Sequence, residues 1–444
     1  SNDRLSRLDA RDLALNSRGS IDFYGQVLLN NLNKVALNAA GLGGYGSAGQ
    51  SVSINAADTI SLSNRSNAIY TGTPSGNGAL NLTAREVTLR TTGENGFVVR
   101  GFSNTTISAT GQIVARPDAD TKAKLHVAGD LTLHAPRLTA SKGADVSIDT
   151  QDASGAMVGK MMLTAPAANP DPANKPAAVT DLGAKLELTA TAIDHGTQIV
   201  LPSGIVSLHA TGTGGVNIAS NATIDVAGHD LHFADLTVGS PGGQVALTAD
   251  QGNVSIGASA RIDVSGAPSG SDAGKLLIAA PMGTVQINPA ARLAADAHGG
   301  GRAGSFALDT QTLTNGFSTL NAALNAAGFT YGRQFRFRGT PGAPGTGDVT
   351  IAAGDTVLAH DLRIAADAGR IDVLGKIDAS GEQAGQVALF ARDDVSLHRG
   401  ASIDAHATGA GEKGGSVTLA STIGRLDLQA GANINVAGLN ETGL

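Results

Sequence analysis

Gly242–Gly266 reads GGQVALTADQGNVSIGASARIDVSG, and Gly414–Gly438 reads GGSVTLASTIGRLDLQAGANINVAG. The two stretches align without a gap. Val245 matches Val417, Leu247 matches Leu419, Gly252 matches Gly424, and Ile262 and Val264 match Ile434 and Val436. A third copy begins at Ala273 (AGKLLIAAPMGTVQINPAARLAADAHG) with Leu276, Ile278, Gly283, Val285, Ile287 and Leu293 in the same frame. A fourth begins at Ala384 (AGQVALFARDDVSLHRGASIDAHATG) and is one residue shorter in its middle. A spacing of about 30 residues falls in the solenoid range.

Each copy holds three short runs of apolar/polar alternation bounded by Gly, Asn or Asp. Alternation with period two means a strand with one buried face. Three short strands, none able to bury its face alone, predict a three-sided coil stacked in parallel on the next one. The expected fold is therefore all-β, a right-handed parallel β-helix. About 30 residues per coil would give roughly 15 coils and a rod on the order of 70 Å long.

Residues 1–240 follow the same grammar less regularly, in the runs starting at Ser51, Ala79, Lys124 and Gly214. Residues 241–444 carry the regular repeats, and 1–444 read as a single shaft. Two segments break the pattern. Residues 151–182 are Pro- and Ala-rich and predict a long extruded turn. Residues 311–346 predict an insertion of helix plus strand, with Phe317, Leu320 and Leu324 on one helix face, Thr314 or Asn315 as cap and Gly328 as stop.

Composition excludes several functions. There is no Cys among 444 residues, so disulfides and thiolate chemistry are out. The net charge of -7, with both signs dispersed, argues against nucleic-acid binding. No apolar run approaches the roughly 20 residues of a membrane span. The opening SNDRLSRLDARD has no apolar signal-peptide core, so an exported parent would contain this chain as a mature or internal part.

The units G-G-x-V-x-L-x-A, G-x-V-x-L and A-x-I-D-V-x-G resemble the shaft repeats of filamentous-haemagglutinin-like exoproteins of two-partner secretion. LTNGFSTLNAALNAAGF followed by FRFRG, within Leu313–Gly339, is similar to a segment of that family. The resemblance implies a secreted or bacterial cell-surface adhesin, exported by an outer-membrane two-partner-secretion transporter and meeting host-cell or biofilm glycans. The family's secretion-domain Asn-Pro-Asn motif and the Arg-Gly-Asp tripeptide are both absent from the sequence.

The candidate sites are few. Arg333, Arg336 and Arg338 interleave with Phe335 and Phe337, which predicts buried phenylalanines beneath a basic strip exposing at least Arg336 and Arg338, a candidate seat for an anionic glycan. Asp225, Asp263, Asp378 and Asp404 share the outward position of the third strand, which reads as a solvated ridge, with a cation ladder as the alternative. GLGGYG at Gly41–Gly46 fits G-x-G-x-x-G, but strand-like sequence follows it, so a turn is expected instead of a dinucleotide loop. TGAGEKGGS near Gly409 is likewise expected to be a turn. His229 and His232 lie an odd number of residues apart, which on a strand sends them to opposite faces. Asn64, Asn81, Asn104, Asn221 and Asn253 stand in Asn-X-Ser/Thr triplets. No cofactor or metal site is expected. The rival reading is a protein that binds or degrades polysaccharide on the same fold. Periodic acids, four Tyr and no Trp leave little for sugar stacking, so an enzyme is not expected.

Overall fold

In the computed structural model, the described residues are 11–46, 48–118, 122–166, 176–340, 342–343 and 345–439. The described residues are all-β apart from one helix, and their strand pairs are overwhelmingly parallel. No helix among the described residues is long and apolar enough to cross a membrane. Residues 1–226 and 227–444 form two units of closely packed backbone.

In the second unit the repeat seen in the sequence is the repeat of the sheet. Val245 pairs with Leu276 and Leu247 with Ile278; Val254 pairs with Val285 and Ile262 with Leu293. These are the residues that align copy to copy. The shortened fourth copy shows how length is absorbed. Val387 pairs with Val417, 30 residues on, whereas Val395 pairs with Leu426, 31 residues on. The missing residue is taken up in the bend at 392–393, and both strands keep their inward side chains inward.

Three sets of strands run through this unit. The first is Lys275–Ile287, Ser305–Leu313, Gly332–Phe337, Asp361–Ala366, Gln386–Ala391 and Ser416–Ser421, each paired in parallel with the next. The second is Val349–Ile351, Ile371–Val373, Val395–Leu397 and Leu426–Leu428. The third is Thr356–Leu358, Lys376–Asp378, Ser402–Asp404 and Asn433–Asn435. Inward positions such as Leu247, Ile278, Ile364 and Ile403 are essentially unexposed. Each such Leu or Ile contributes roughly 1.5–3 kcal/mol of burial.

The helix Gly316–Ala326 lies where the sequence predicts it. Phe317, Leu320 and Leu324 are buried, and Gly328 follows the helix at φ +80, a left-handed turn that glycine adopts without strain. Asn315 stands at the N-cap but makes no side-chain cap; its amide instead donates to the Ile287 carbonyl at 2.7 Å. Below the helix five phenylalanines meet. Phe317 packs edge-on against Phe335 at 5.2 Å between centroids, and Phe306 touches Phe329 and Phe335.

The first unit uses the same parallel pairing with less even spacing. Asp12 pairs with Lys34, 22 residues on, while Asp145 pairs with Lys185, 40 residues on. The 151–182 segment is not wholly an extruded turn. Met161–Thr164 is a strand within the sheet, paired on both sides, with Met161 and Leu163 buried. Two apolar residues separated by one were enough to return the chain to the interior. Residues 167–175 of that segment lie outside the described residues. A second departure lies in GHDLHF, which ends the alternating run that starts at Gly214. Asp230–Phe233 instead folds back on Leu236–Gly239 as an antiparallel hairpin, with Phe233 58% and Leu236 59% exposed.

Candidate functional site

The predicted basic strip is the strand Gly332–Phe337 and the residue after it. Phe335 and Phe337 face inward and Arg336 and Arg338 face outward, as alternation requires. Arg333 is a correction to the expected strip: it shares the parity of the phenylalanines and is fully buried. Its Nε donates to the Phe329 carbonyl at 2.5 Å and its Nη1 to Asn321 Oδ1 at 2.9 Å, so it fastens the helix and its exit to the strand. Burial lowers its pKa to about 10. A ligand on the outer surface does not reach it.

The strip is not a free cationic surface either. Arg338 donates through Nε and Nη2 to both oxygens of Asp309, at 2.6 and 2.8 Å. The bond to Asp309 raises the Arg338 pKa. Arg336 donates to Asp367 at 2.7 Å. Both pairs run diagonally across the register, Arg338 reaching back to the Asp309 opposite Arg336 and Arg336 reaching Asp367, two residues past its opposite Ala365. Asp309 lies beside Arg336, then Ala365, then Phe390 across four strands, and one row over run Ala307, Gln334, Arg363 and Ala388. The Arg363 guanidinium sits 4.8 Å from the centroid of the Phe390 ring, and Arg392 pairs with Asp393 at 2.8 Å.

These outward rows line two recesses of about 620 and 670 Å³ that share Asp367. One is floored by Ala279, Asp309, Arg336 and Arg363 with Phe390 at its side; the other runs past Met282, Gln311, Arg338 and Arg392. The surface alternates donors and acceptors and ends on an aromatic ring. Such a surface suits a hydroxyl-rich chain better than a purely anionic one, because its arginines already have carboxylate partners. The sequence named Arg336 and Arg338 but missed Asp309, Arg363, Asp367 and Phe390. They come from other repeats and become neighbours only through the parallel register.

The four aspartates of the expected ladder separate. Asp225 is in register with Val200, in the first unit. Asp263 is a correction: it is only 5% exposed and accepts from Arg261 Nη2 at 2.5 Å and from the Ser265 amide at 2.9 Å. Its own flanking residues fold over the carboxylate and remove it from a solvent-facing ridge. Its register neighbour is Ala294. Asp378 and Asp404 do sit in register with each other. Among the described residues no three His, Asp or Glu side chains are grouped as a metal would need.

GLGGYG is not a turn. Gly41–Tyr45 is a strand paired in parallel on both sides, and the chain turns only at Gly46, at φ +56. The segment near Gly409 does turn, with Gly411 at φ +77. His232 bonds Thr237 Oγ1 within the exposed hairpin at 3.0 Å, while the His229 amide donates to Ser240 Oγ at 2.8 Å. His195, which nothing in the sequence singled out, is buried in the first unit, with Nε2 donating to the Thr223 carbonyl at 3.2 Å. Burial lowers its pKa to about 4. Asn64 is 1% exposed and its amide donates to the Ala68 and Gly96 carbonyls, so its triplet is structural.

Fold and site together define an all-β, parallel-stranded repeat protein with a polar, aromatic-edged groove on its outward face. No family model, curated protein or solved structure matches the chain.

Proposed function

We propose that the chain is a segment of right-handed parallel β-helix that serves as the shaft of a secreted bacterial surface exoprotein, with the outward groove of the second unit as its adhesive surface for glycans. The observation that carries the reading is the in-register stacking of equivalent residues one repeat apart, as in Val245 on Leu276 and Val387 on Val417. A chain built this way grows by adding repeats, and each repeat adds a row to the same outer face. The repeats' resemblance to filamentous-haemagglutinin-like shafts supports export through an outer-membrane two-partner-secretion transporter.

The groove favours binding over cleavage. Hydrolysis of a glycosidic bond needs a carboxyl group held protonated beside a second, free carboxylate. Asp309 and Asp367 are instead each bound by an arginine.

The test is a broad glycan and extracellular-matrix array, run with and without Ca²⁺ and with assays for product release. The reading expects retention of a hydroxyl-rich glycan without turnover, weakened by Arg363→Ala and Phe390→Ala. Release of cleaved product would replace it with a degradative function. Binding untouched by both substitutions would remove the groove from the account.

A further inference from the structure

The chain has only four tyrosines, and three of them meet on one outward face of the first unit. The strand Ser20–Tyr24 pairs in parallel with Gly41–Tyr45, and that strand pairs with Phe97–Arg100. The register sets Tyr24 beside Tyr45 and places Asp22, Gly43 and Arg100 in the adjoining row. The Tyr24 and Tyr45 rings stack at 5.1 Å between centroids with 18° between their planes. Tyr24 is 72% exposed, so this stack adds little to the core.

Tyr70 reaches the same face from the segment after the strand Ser51–Ser63. The glycines of GLGGYG give it room. A Cβ on Gly41 would stand 2.9 Å from Tyr70 Cδ2, and one on Gly43 would stand 2.8 Å from the Tyr70 hydroxyl and 2.6 Å from Asp22 Oδ1. Tyr70 therefore lies along the strand with its hydroxyl at the gap that Gly43 leaves between Asp22 and Arg100. The Arg100 guanidinium covers its ring at 5.3 Å. Tyr70 is 7% exposed, yet its hydroxyl has no hydrogen-bond partner among the described residues, and neither has the buried Arg100 Nε. Buried donors without partners are costly, and their convergence on one gap points to a ligand that supplies the partners.

We propose that this face binds a neutral hexopyranose unit of a glycan. The sugar's C–H face packs on the Tyr24–Tyr45 stack, and its hydroxyls bridge Asp22, the Tyr70 hydroxyl and Arg100. The faintly positive C–H hydrogens of a pyranose suit the negative face of an aromatic ring. A pair of neighbouring hydroxyls both donates and accepts, which matches a carboxylate and a guanidinium standing side by side. A cationic ligand suits the tyrosines and Asp22 but meets Arg100; an anion suits Arg100 but meets Asp22. Burial, with Tyr45 and Asp22 close by, pushes the Tyr70 phenol up to about 12, so it is a donor at neutral pH. The site belongs to the first unit and does not rest on the groove of the second.

Saturation-transfer NMR and titration calorimetry on the full chain test this with methyl glycosides of glucose, galactose, mannose and N-acetylglucosamine. Methyl glucuronide and tetramethylammonium serve as charged comparators. At least one neutral glycoside is expected to saturate. Tyr24→Ala with Tyr45→Ala should weaken it about tenfold or more, the scale of a lost aromatic contact, at an unchanged melting temperature. Phe390→Ala in the groove should leave that binding intact. The proposal is overturned if no neutral glycoside binds, if the double variant binds as well as the parent, or if a charged comparator is preferred.

Discussion

Asp378 and Asp404 lie in register in adjacent parallel strands, and each carboxylate bonds the residue two places further along its own chain. Asp378 accepts from the Ser380 amide and hydroxyl at 3.0 and 2.6 Å, and Asp404 hydrogen-bonds with His406 at 2.6 Å. Asn435, next in the row, donates to Asp404 at 3.2 Å. Two like charges one strand apart repel, and these local donors offset that repulsion.

Chelation should therefore leave stability alone. With excess EDTA against added Ca²⁺, the melting temperature is expected to move by less than about 2 °C, well under what tight ion binding produces. A larger fall on chelation would restore the row as a cation ladder.

His195 makes the first unit acid-sensitive. Burial holds its folded pKa at about 4, below the ordinary histidine value of 6.5. The unfolded chain thus takes up a proton first as pH falls. Stability is full above pH 6.5, declines as pH drops toward 4, and levels off below that. The loss for this one group is roughly 3 kcal/mol. Urea melts of the parent and of His195→Leu between pH 7 and 4 check it: the variant should lose this component of the decline, and equal slopes for both would refute the assignment.

Among the described residues no carboxylate pairs with the buried Arg333, and its Nη2 has no hydrogen-bond partner. An isolated buried charge of this kind is expensive, and an apolar residue of similar volume commonly replaces one at no cost or with a gain. Arg333→Met should keep or raise the melting temperature and leave glycan binding unchanged. A marked loss of stability would mean the bonds to Phe329 and Asn321 outweigh the desolvation.

The repeat copies were legible in the sequence because inward residues recur in kind as well as in spacing. Val245, Leu276, Val387 and Val417 pair as their alignment implies. The helix was legible from Phe317, Leu320 and Leu324. Three features were not. Arg333 obeys the parity of its strand against the habit of its side chain, and its acceptors come from the helix, at Asn321, and from the segment after it, at Phe329. The hairpin at Asp230–Gly239 carries Phe233, Leu236 and Val238 outward, so apolar residues there do not mark an interior. The tyrosine face joins residues from Asp22 to Arg100: the register sets Tyr24 beside Tyr45, and Tyr70 arrives from a loop onto Gly41 and Gly43, none of which tyrosine spacing in the sequence reveals.

The most direct test of the stacked-repeat account exploits the absence of cysteine. Thr248 is in register with Ala279 on the outward side of adjacent strands. Neighbouring parallel strands lie about 4.8 Å apart, within disulfide reach. The variant Thr248→Cys with Ala279→Cys should crosslink on mild oxidation and run as a looped monomer on a non-reducing gel. Thr248→Cys with Ala280→Cys, whose second thiol points inward, should not. Failure of the first pair, or equal crosslinking of both, would contradict the parallel one-repeat stacking on which the shaft function rests.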